Sequence, residues 1–265
     1  MNADEEVTTP QLEVALEGGN MGGAVRVGTT VRRPAGPWTA TVQRLLQHLH
    51  EHGLNWTPQP LGRDERGRDI TSHLPGTVPS YPLPPWVWTD EVLIRATEFL
   101  AQLHEVSATF NTEDASWQLP THEPAEVVCH NDFDPYNMVF EDQQLSGVID
   151  WDTASPGPRV WDVAYMAYRL VPLTDPDTGD GLPNTLSEKA RRLRLVCKTY
   201  GQDLDPARVV SVAVDRIRDL AAFTQARADA GHEHLHAHVS TYHQDAAWIT
   251  ANAQHLRAEE PDLPD

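Results

Sequence analysis

The first third of the chain alternates apolar and polar residues, which predicts β-strands. Leu12, Val14 and Leu16 fall on one face, with two glutamates and an alanine on the other. This period of two is typical of a half-buried strand. The glycine-rich residues 18–23 then turn the chain. Further strands are predicted at residues 25–27, at residues 30–33 and on both sides of a turn at residues 63–67, ending near residues 70–73.

The pattern becomes helical at residue 38. Within residues 38–52, Val42, Leu45 and Leu49 fall on one helical face, and Gly53 ends the helix. Helices are predicted again after residue 88. The first is capped by Thr89 or Asp90, and others cover residues 160–170, 186–200, 206–230 and 238–258, with a short β segment at residues 127–150.

A proline-rich segment separates these two parts. Residues 75–85 contain five prolines, which exclude a helix or a central strand. We interpret the segment as a crossover between two lobes, although a surface loop has the same composition.

Strands followed by helices predict an α+β fold, with a small antiparallel-sheet lobe and a mainly helical lobe. We expect a disordered tail at residues 1–9 and an N-terminal lobe at residues 10–75. A linker is expected at residues 76–88 and a C-terminal lobe at residues 89–265.

Net charge indicates the class of binding partner, and cysteine content indicates the location of the protein. The chain has 39 acidic and 20 basic residues, a net charge of −19, which disfavours nucleic acid. An acidic surface suits a cationic small molecule, and simple solubility explains it equally well. No apolar run is long enough to span a membrane. Two cysteines, Cys129 and Cys197, fit a reducing cytoplasm.

Residues 127–152 carry the clearest chemistry. An apolar strand leads into a polar loop, and a predicted hairpin returns Asp150 beside that loop. Phosphoryl transfer needs a carboxylate that accepts a proton and oxygen ligands that hold Mg²⁺. Asp132 can be the base, and Asn137 and Asp150 can be the ligands. The alternative is that these residues only form turns by bonding their own backbone.

The motifs in this stretch resemble those of the aminoglycoside phosphotransferase family. His130, Asp132 and Asn137 form the pattern His-x-Asp-x-x-x-x-Asn, and Ile-Asp-Trp-Asp follows at residues 149–152. The resemblance covers residues 12–168, and more vaguely the remainder. It implies a bilobal protein-kinase-like fold, with Asp132 as the catalytic base and Asn137 and Asp150 as Mg²⁺ ligands.

Three further residues take supporting roles by the same resemblance. His130 would organise the loop, and Asp162, in a Trp-Asp pair at residues 161–162, would bond the loop backbone. Asp152 would be either a second metal ligand or a support of the loop.

The nucleotide lobe departs from the family's pattern. The two lysines of the chain, Lys189 and Lys198, both come late, so the third strand lacks the lysine that kinase-like enzymes use for phosphates. Arg32 is our first candidate for that role and Arg33 the second, because alternation lets only one face the cleft. Residues 31–50 also lack any acidic partner for such a cation.

The resemblance also implies backbone contacts to the nucleotide. Gly19 and Gly22 would let amide groups approach phosphates, although a flexible hairpin explains these glycines equally well. The backbone of Ser72 and Leu74 would meet the adenine ring.

We therefore expect a phosphotransferase that uses Mg²⁺ and ATP, or GTP. Its acceptor would be a hydroxyl of a small molecule, either an aminoglycoside-like antibiotic or an amino-alcohol metabolite. The alternative is a binding or immunity protein of the same fold with weak or no catalysis, which the missing lysine and its missing acidic partner favour.

Overall fold

A computed structural model describes residues 12–16, 23–177 and 185–258. The predicted tail at residues 1–9 and the glycines Gly19 and Gly22 lie outside the described residues.

Within the described residues, the N-terminal part is a five-stranded antiparallel sheet with one helix. The strands are β1 (Glu13–Ala15), β2 (Val25–Val27), β3 (Thr30–Arg33), β4 (Pro60–Arg63) and β5 (Asp69–Ser72), in the order β1-β2-β3-β5-β4. Helix α1 (Thr39–Glu51) joins β3 to β4 and buries Val42, Leu45 and Leu49. Gly53 follows the helix with a φ of 85°, which glycine adopts without steric cost. These elements agree with the prediction.

The rest of the chain is mainly helical. Its helices are α2 (Asp90–Ser107), α3 (Arg159–Leu170), α4 (Leu186–Tyr200), α5 (Pro206–Asp229) and α6 (His236–Leu256). Thr89 caps α2 by accepting a hydrogen bond from the amide of Val92, as the sequence indicates. None of the described helices is long and apolar enough to cross a lipid bilayer.

Four short strands lie among these helices. They are β6 (Val127–Cys129), the hairpin strands β7 (Met138–Glu141) and β8 (Gln144–Val148), and β9 (Ser155–Gly157). The sequence did not predict β9, because Ser-Pro-Gly has low strand propensity. Its antiparallel pairing with β6 brings residues 150–157 back against the loop that follows β6.

The β7–β8 hairpin contacts the segment that follows β5 and the segment between α1 and β4. Thr77 and Phe140 exchange two backbone hydrogen bonds, both 2.9 Å long, and Val148 donates to the carbonyl of Trp56 at 3.1 Å. The ring of Trp56 stacks on Phe99 of α2 with centroids 4.4 Å apart. The loops at both ends of this hairpin therefore lie where the sheet and helical parts meet.

Candidate active site

Asp162, at the start of α3, holds the loop of residues 130–137. Its buried carboxylate accepts hydrogen bonds from the amides of His130 at 2.6 Å and Asn131 at 2.9 Å. His104 of α2 lies 3.2 Å from the same carboxylate. Burial acts to raise the pKa of Asp162, but the hydrogen bond and charge of His104 and the contacts of His130 outweigh it and lower the pKa. The loop backbone is therefore anchored by an ionised buried carboxylate.

His130 joins this loop to the end of the hairpin. Its Nδ1 accepts a hydrogen bond from the amide of Asp132 at 3.2 Å. The proton is then on Nε2, which lies 3.1 Å from the carbonyl oxygen of Ile149. The ring also packs edge-on against Trp151, with centroids 4.7 Å apart. His130 thus sets the spacing between Asp132 and Asp150.

Asp132 is surrounded by hydrogen-bond donors. Its Oδ1 accepts from the hydroxyl of Tyr136 at 2.6 Å and from that of Tyr165 at 2.9 Å. Its Oδ2 accepts from the side-chain amide of Asn137 at 2.9 Å. Burial raises the pKa of both tyrosines well above the ordinary value, so both hydroxyls remain protonated donors. These donors hold the Asp132 carboxylate in a defined orientation.

Asn137 and Asp150 come together as the hairpin predicts. The amide of Ile149 donates to the carbonyl of Asn137 at 2.9 Å, which places Asp150 next to the loop. Asp150 has a φ of 64°, and its side chain is 40% exposed. The side-chain nitrogen of Asn137 faces Asp132, and its oxygen takes no hydrogen bond from the described residues. An amide oxygen and a carboxylate in this arrangement fit a hard cation such as Mg²⁺.

Arg33, rather than Arg32, faces these carboxylates. Its guanidinium donates to Asp150 at 2.9 Å and to Asp152 at 3.3 Å. Burial acts to lower the pKa of Arg33, but the charges of Asp152, Asp150 and Asp69 raise it above its usual value. Arg32 points to the opposite face of the sheet, where it lies 3.6 Å from Asp64.

The structure thus brings Arg33, our second candidate, to the carboxylates, and it places Arg32, our first candidate, away from them. Neighbouring strand residues point to opposite faces of a sheet, and the sequence did not show which of the two arginines of β3 lies on the face toward the carboxylates.

Comparison with known proteins identifies the protein family to which the chain belongs. A model of the phosphotransferase enzyme family matches residues 111–196, which include the loop and the hairpin. The trifolitoxin immunity protein of Rhizobium leguminosarum bv. trifolii is 31% identical over 198 residues, covering 71% of this chain and 74% of that protein. The chain belongs to the phosphotransferase enzyme family.

Solved structures of similar fold support the fold class of this chain. A choline/ethanolamine kinase family protein from Mesorhizobium loti has a TM-score of 0.63 at 15% identity, covering 96% of this chain and 94% of that one. A macrolide 2'-phosphotransferase from Brachybacterium faecium has a TM-score of 0.54 at 15% identity, covering 90% and 89%. The fold class is thus the protein-kinase-like one that we expected.

Ser72 and Leu74, the two residues of this phosphotransferase-family chain whose backbone we expected at the adenine ring, differ in their backbone hydrogen bonds. The amide of Ser72 donates to Gln59 and that of His73 donates to Thr29, so neither is available to a ligand. The backbone of Leu74 makes no hydrogen bond with the described residues. Of the two residues, Ser72 thus has its amide occupied by the protein and Leu74 does not.

Several residues near the loop were missed by the sequence analysis. Buried Asp134 accepts hydrogen bonds from Arg169 of α3 and from the hydroxyl of Tyr81, which lies in the proline-rich segment. Arg216 of α5 donates to the carbonyl of Asn131 at 2.8 Å. Asp134 lies in the loop itself, but its partners Tyr81 and Arg169 come from distant segments, as does Arg216, so local spacing gave no signal for these contacts.

A second group of potential metal ligands lies behind the loop. The ligand atoms of His104, Cys129 and Asp162 lie within 4.8 Å of one another and are buried. Burial raises the pKa of the Cys129 thiol well above its usual value, which keeps it protonated. Asp162 is already bonded to two backbone amides. We therefore interpret this group, among the described residues, as a support of the loop rather than as a metal site.

Proposed function

We propose that this protein transfers the γ-phosphoryl group of ATP or GTP, in the presence of Mg²⁺, to a hydroxyl of a small molecule. The observation that carries the proposal is the convergence of Asp132, Asn137 and Asp150. The side-chain amide of Asn137 donates to Asp132, and its backbone carbonyl accepts from the amide of Ile149, the neighbour of Asp150. A base and two metal ligands in one place are the parts that phosphoryl transfer requires.

Each residue has a distinct task in the proposed reaction. Asp132 accepts the proton of the acceptor hydroxyl as the new bond forms between that oxygen and the γ-phosphorus. The bond from the γ-phosphorus to the β–γ bridging oxygen breaks, which leaves the nucleoside diphosphate. Asn137 and Asp150 would hold Mg²⁺, which neutralises phosphate charge when bound. Arg33 would contact the phosphates, and the backbone of Leu74 would contact the base.

We propose a small, cationic acceptor, either an aminoglycoside-like antibiotic or an amino alcohol. The net charge of −19 favours a cation, and one solved structure of similar fold belongs to a choline/ethanolamine kinase family protein. We further propose a cytoplasmic location without a nucleic-acid or membrane partner. The proposed lobes are residues 10–75 and 89–265, joined by a linker at residues 76–88.

A second candidate is an immunity protein with little or no catalysis. A relative with 31% identity is named an immunity protein against trifolitoxin. In addition, two tyrosine hydroxyls donate to Oδ1 of Asp132, and the side-chain amide of Asn137 donates to Oδ2. An acceptor hydroxyl must therefore displace one of these donors or share an oxygen atom with it.

The substitution Asp132→Asn tests the proposal. It keeps the shape of the side chain and removes the base, so turnover should fall by about 10²–10⁴ while nucleotide affinity stays within about threefold. We would screen aminoglycosides, macrolides and amino alcohols with ATP and GTP, and measure kcat for the acceptor found and affinity by calorimetry. Asp215→Asn is the control, since Asp215 lies exposed on α5.

Two results would count against the phosphotransferase. Turnover by Asp132→Asn within threefold of wild type would remove Asp132 as the base. Wild-type protein that binds nucleotide yet shows neither transfer nor slow Mg²⁺-dependent hydrolysis would favour the immunity protein without catalysis.

A further inference from the structure

Arg33 lies beside three carboxylates, two at the end of the β7–β8 hairpin and one on the sheet. Asp150 and Asp152 lie at the end of the β7–β8 hairpin, where the proposed metal and phosphates would bind. Asp69 belongs to the sheet, and its Oδ2 lies 3.6 Å from Nη2 of Arg33. Arg33 and Asp69 are directly opposite each other in the antiparallel β3–β5 pair.

Asp69 is held in place from two sides. It is 4% exposed, so its charge has little water around it. Its Oδ1 accepts a hydrogen bond from the side-chain amide of Gln43 on α1. Gln43 is itself fixed, because it donates to the carbonyl of Ile70 at 3.1 Å and accepts from the amide of Gly62 at 3.0 Å. The Asp69 carboxylate therefore cannot turn away from Arg33 without breaking the contact between helix and sheet.

Helix α1 supplies no carboxylate of its own to Arg33. Residues 31–50 contain neither Asp nor Glu. Glu51, the last residue of α1, is exposed and accepts a hydrogen bond from Gln47 at 2.9 Å. Among these elements, the carboxylate beside Arg33 that does not belong to the hairpin end is therefore Asp69 of the sheet.

We propose that Asp69 is a positioning residue that holds Arg33 toward the nucleotide phosphates, with Gln43 locking Asp69 in place. This inference rests on the proposed function. A cation held by Asp150 would compete with Arg33 for that carboxylate. Asp69 remains, because it is bound by the sheet and by α1, and it keeps the guanidinium at the mouth of the site. A preoriented guanidinium binds phosphate with less loss of side-chain entropy.

Calorimetry with Mg²⁺ and ATP, and with adenosine alone, tests this role. Asp69→Asn should weaken ATP binding by about tenfold, the equivalent of losing one charge-assisted contact. Adenosine has no phosphates, so its affinity should stay within twofold. The matched control is Asp64→Asn, because Asp64 lies 3.6 Å from Arg32 on the opposite face of the sheet. Its ATP affinity should stay within twofold of wild type.

Two further variants separate positioning from general damage. In an Arg33→Met background, Asp69→Asn should cause no additional loss of ATP affinity. Asp69→Glu keeps a carboxylate beside Arg33 on a side chain that is one methylene longer, and its ATP affinity should stay within threefold of wild type. This variant also carries the test if Asp69→Asn alone does not fold.

The outcomes distinguish this inference from the proposed function. Wild-type ATP affinity in Asp69→Asn, an equal loss for ATP and adenosine, or a tenfold loss in Asp69→Glu as well would each overturn the role of Asp69 alone. Wild-type protein that binds no nucleotide would overturn both.

Discussion

Replacing Asp162 should destabilise the protein strongly and in a pH-dependent way. Its carboxylate is buried and accepts from the amides of His130 and Asn131 and from His104. Asp162→Ala leaves the two amides buried without an acceptor, and each such group costs about 1–3 kcal/mol. We therefore expect the free energy of unfolding to fall by about 3–5 kcal/mol, a range typical of removing one partner from a buried charged cluster.

The pH dependence follows from the lowered pKa of Asp162. A carboxyl whose pKa is lower in the folded than in the unfolded state stabilises the fold fully above its unfolded pKa, about 3.9. This contribution is lost as pH falls through the folded pKa. The difference between wild type and Asp162→Asn should thus be constant from about pH 7 to pH 5 and shrink below about pH 4.

Urea unfolding followed by tryptophan fluorescence measures both effects. Asp215→Asn is the control, since Asp215 is 66% exposed and 3.8 Å from Arg218, and it should change stability by less than about 0.5 kcal/mol. A loss below about 1 kcal/mol in Asp162→Ala would refute the unpaired-amide argument, since one such group alone costs at least that much. A wild-type to Asp162→Asn difference that persists unchanged through acid would refute the lowered pKa.

Two other substitutions test the site and its contact with the sheet. Asp150→Asn keeps a residue that tolerates the left-handed φ of 64°, so the fold should survive while Mg²⁺-dependent nucleotide binding is lost; unchanged affinity by calorimetry would contradict the metal assignment. An added Cβ at Gly147 would lie 2.6 Å from Cδ1 of Leu74 and 2.8 Å from the carbonyl oxygen of Trp56. Gly147→Ala should therefore cost about 1–3 kcal/mol in urea unfolding and weaken nucleotide binding at Leu74, and wild-type stability would show that the hairpin can shift.

The candidate site was largely predictable because its main residues are close in sequence. Asp132 and Asn137 lie in one loop, and a hairpin with a short turn is enough to return Asp150 to them. Such local geometry depends on strand and turn patterns that a single sequence displays. The order of strands and helices is predictable for the same reason, and it determined the fold class.

Tertiary structure alone decided which side chains surround that loop. The choice of Arg33 over Arg32 depended on which face of β3 meets the rest of the chain, and a shift of one residue would have reversed it. Asp69 reaches Arg33 through strand pairing across 36 residues (69 − 33), and Tyr165 reaches Asp132 from a separate helix. These contacts form only when distant segments pack together. Local sequence patterns therefore determined the secondary-structure elements and the residues of the loop. Tertiary packing determined which side chains contact each charged group.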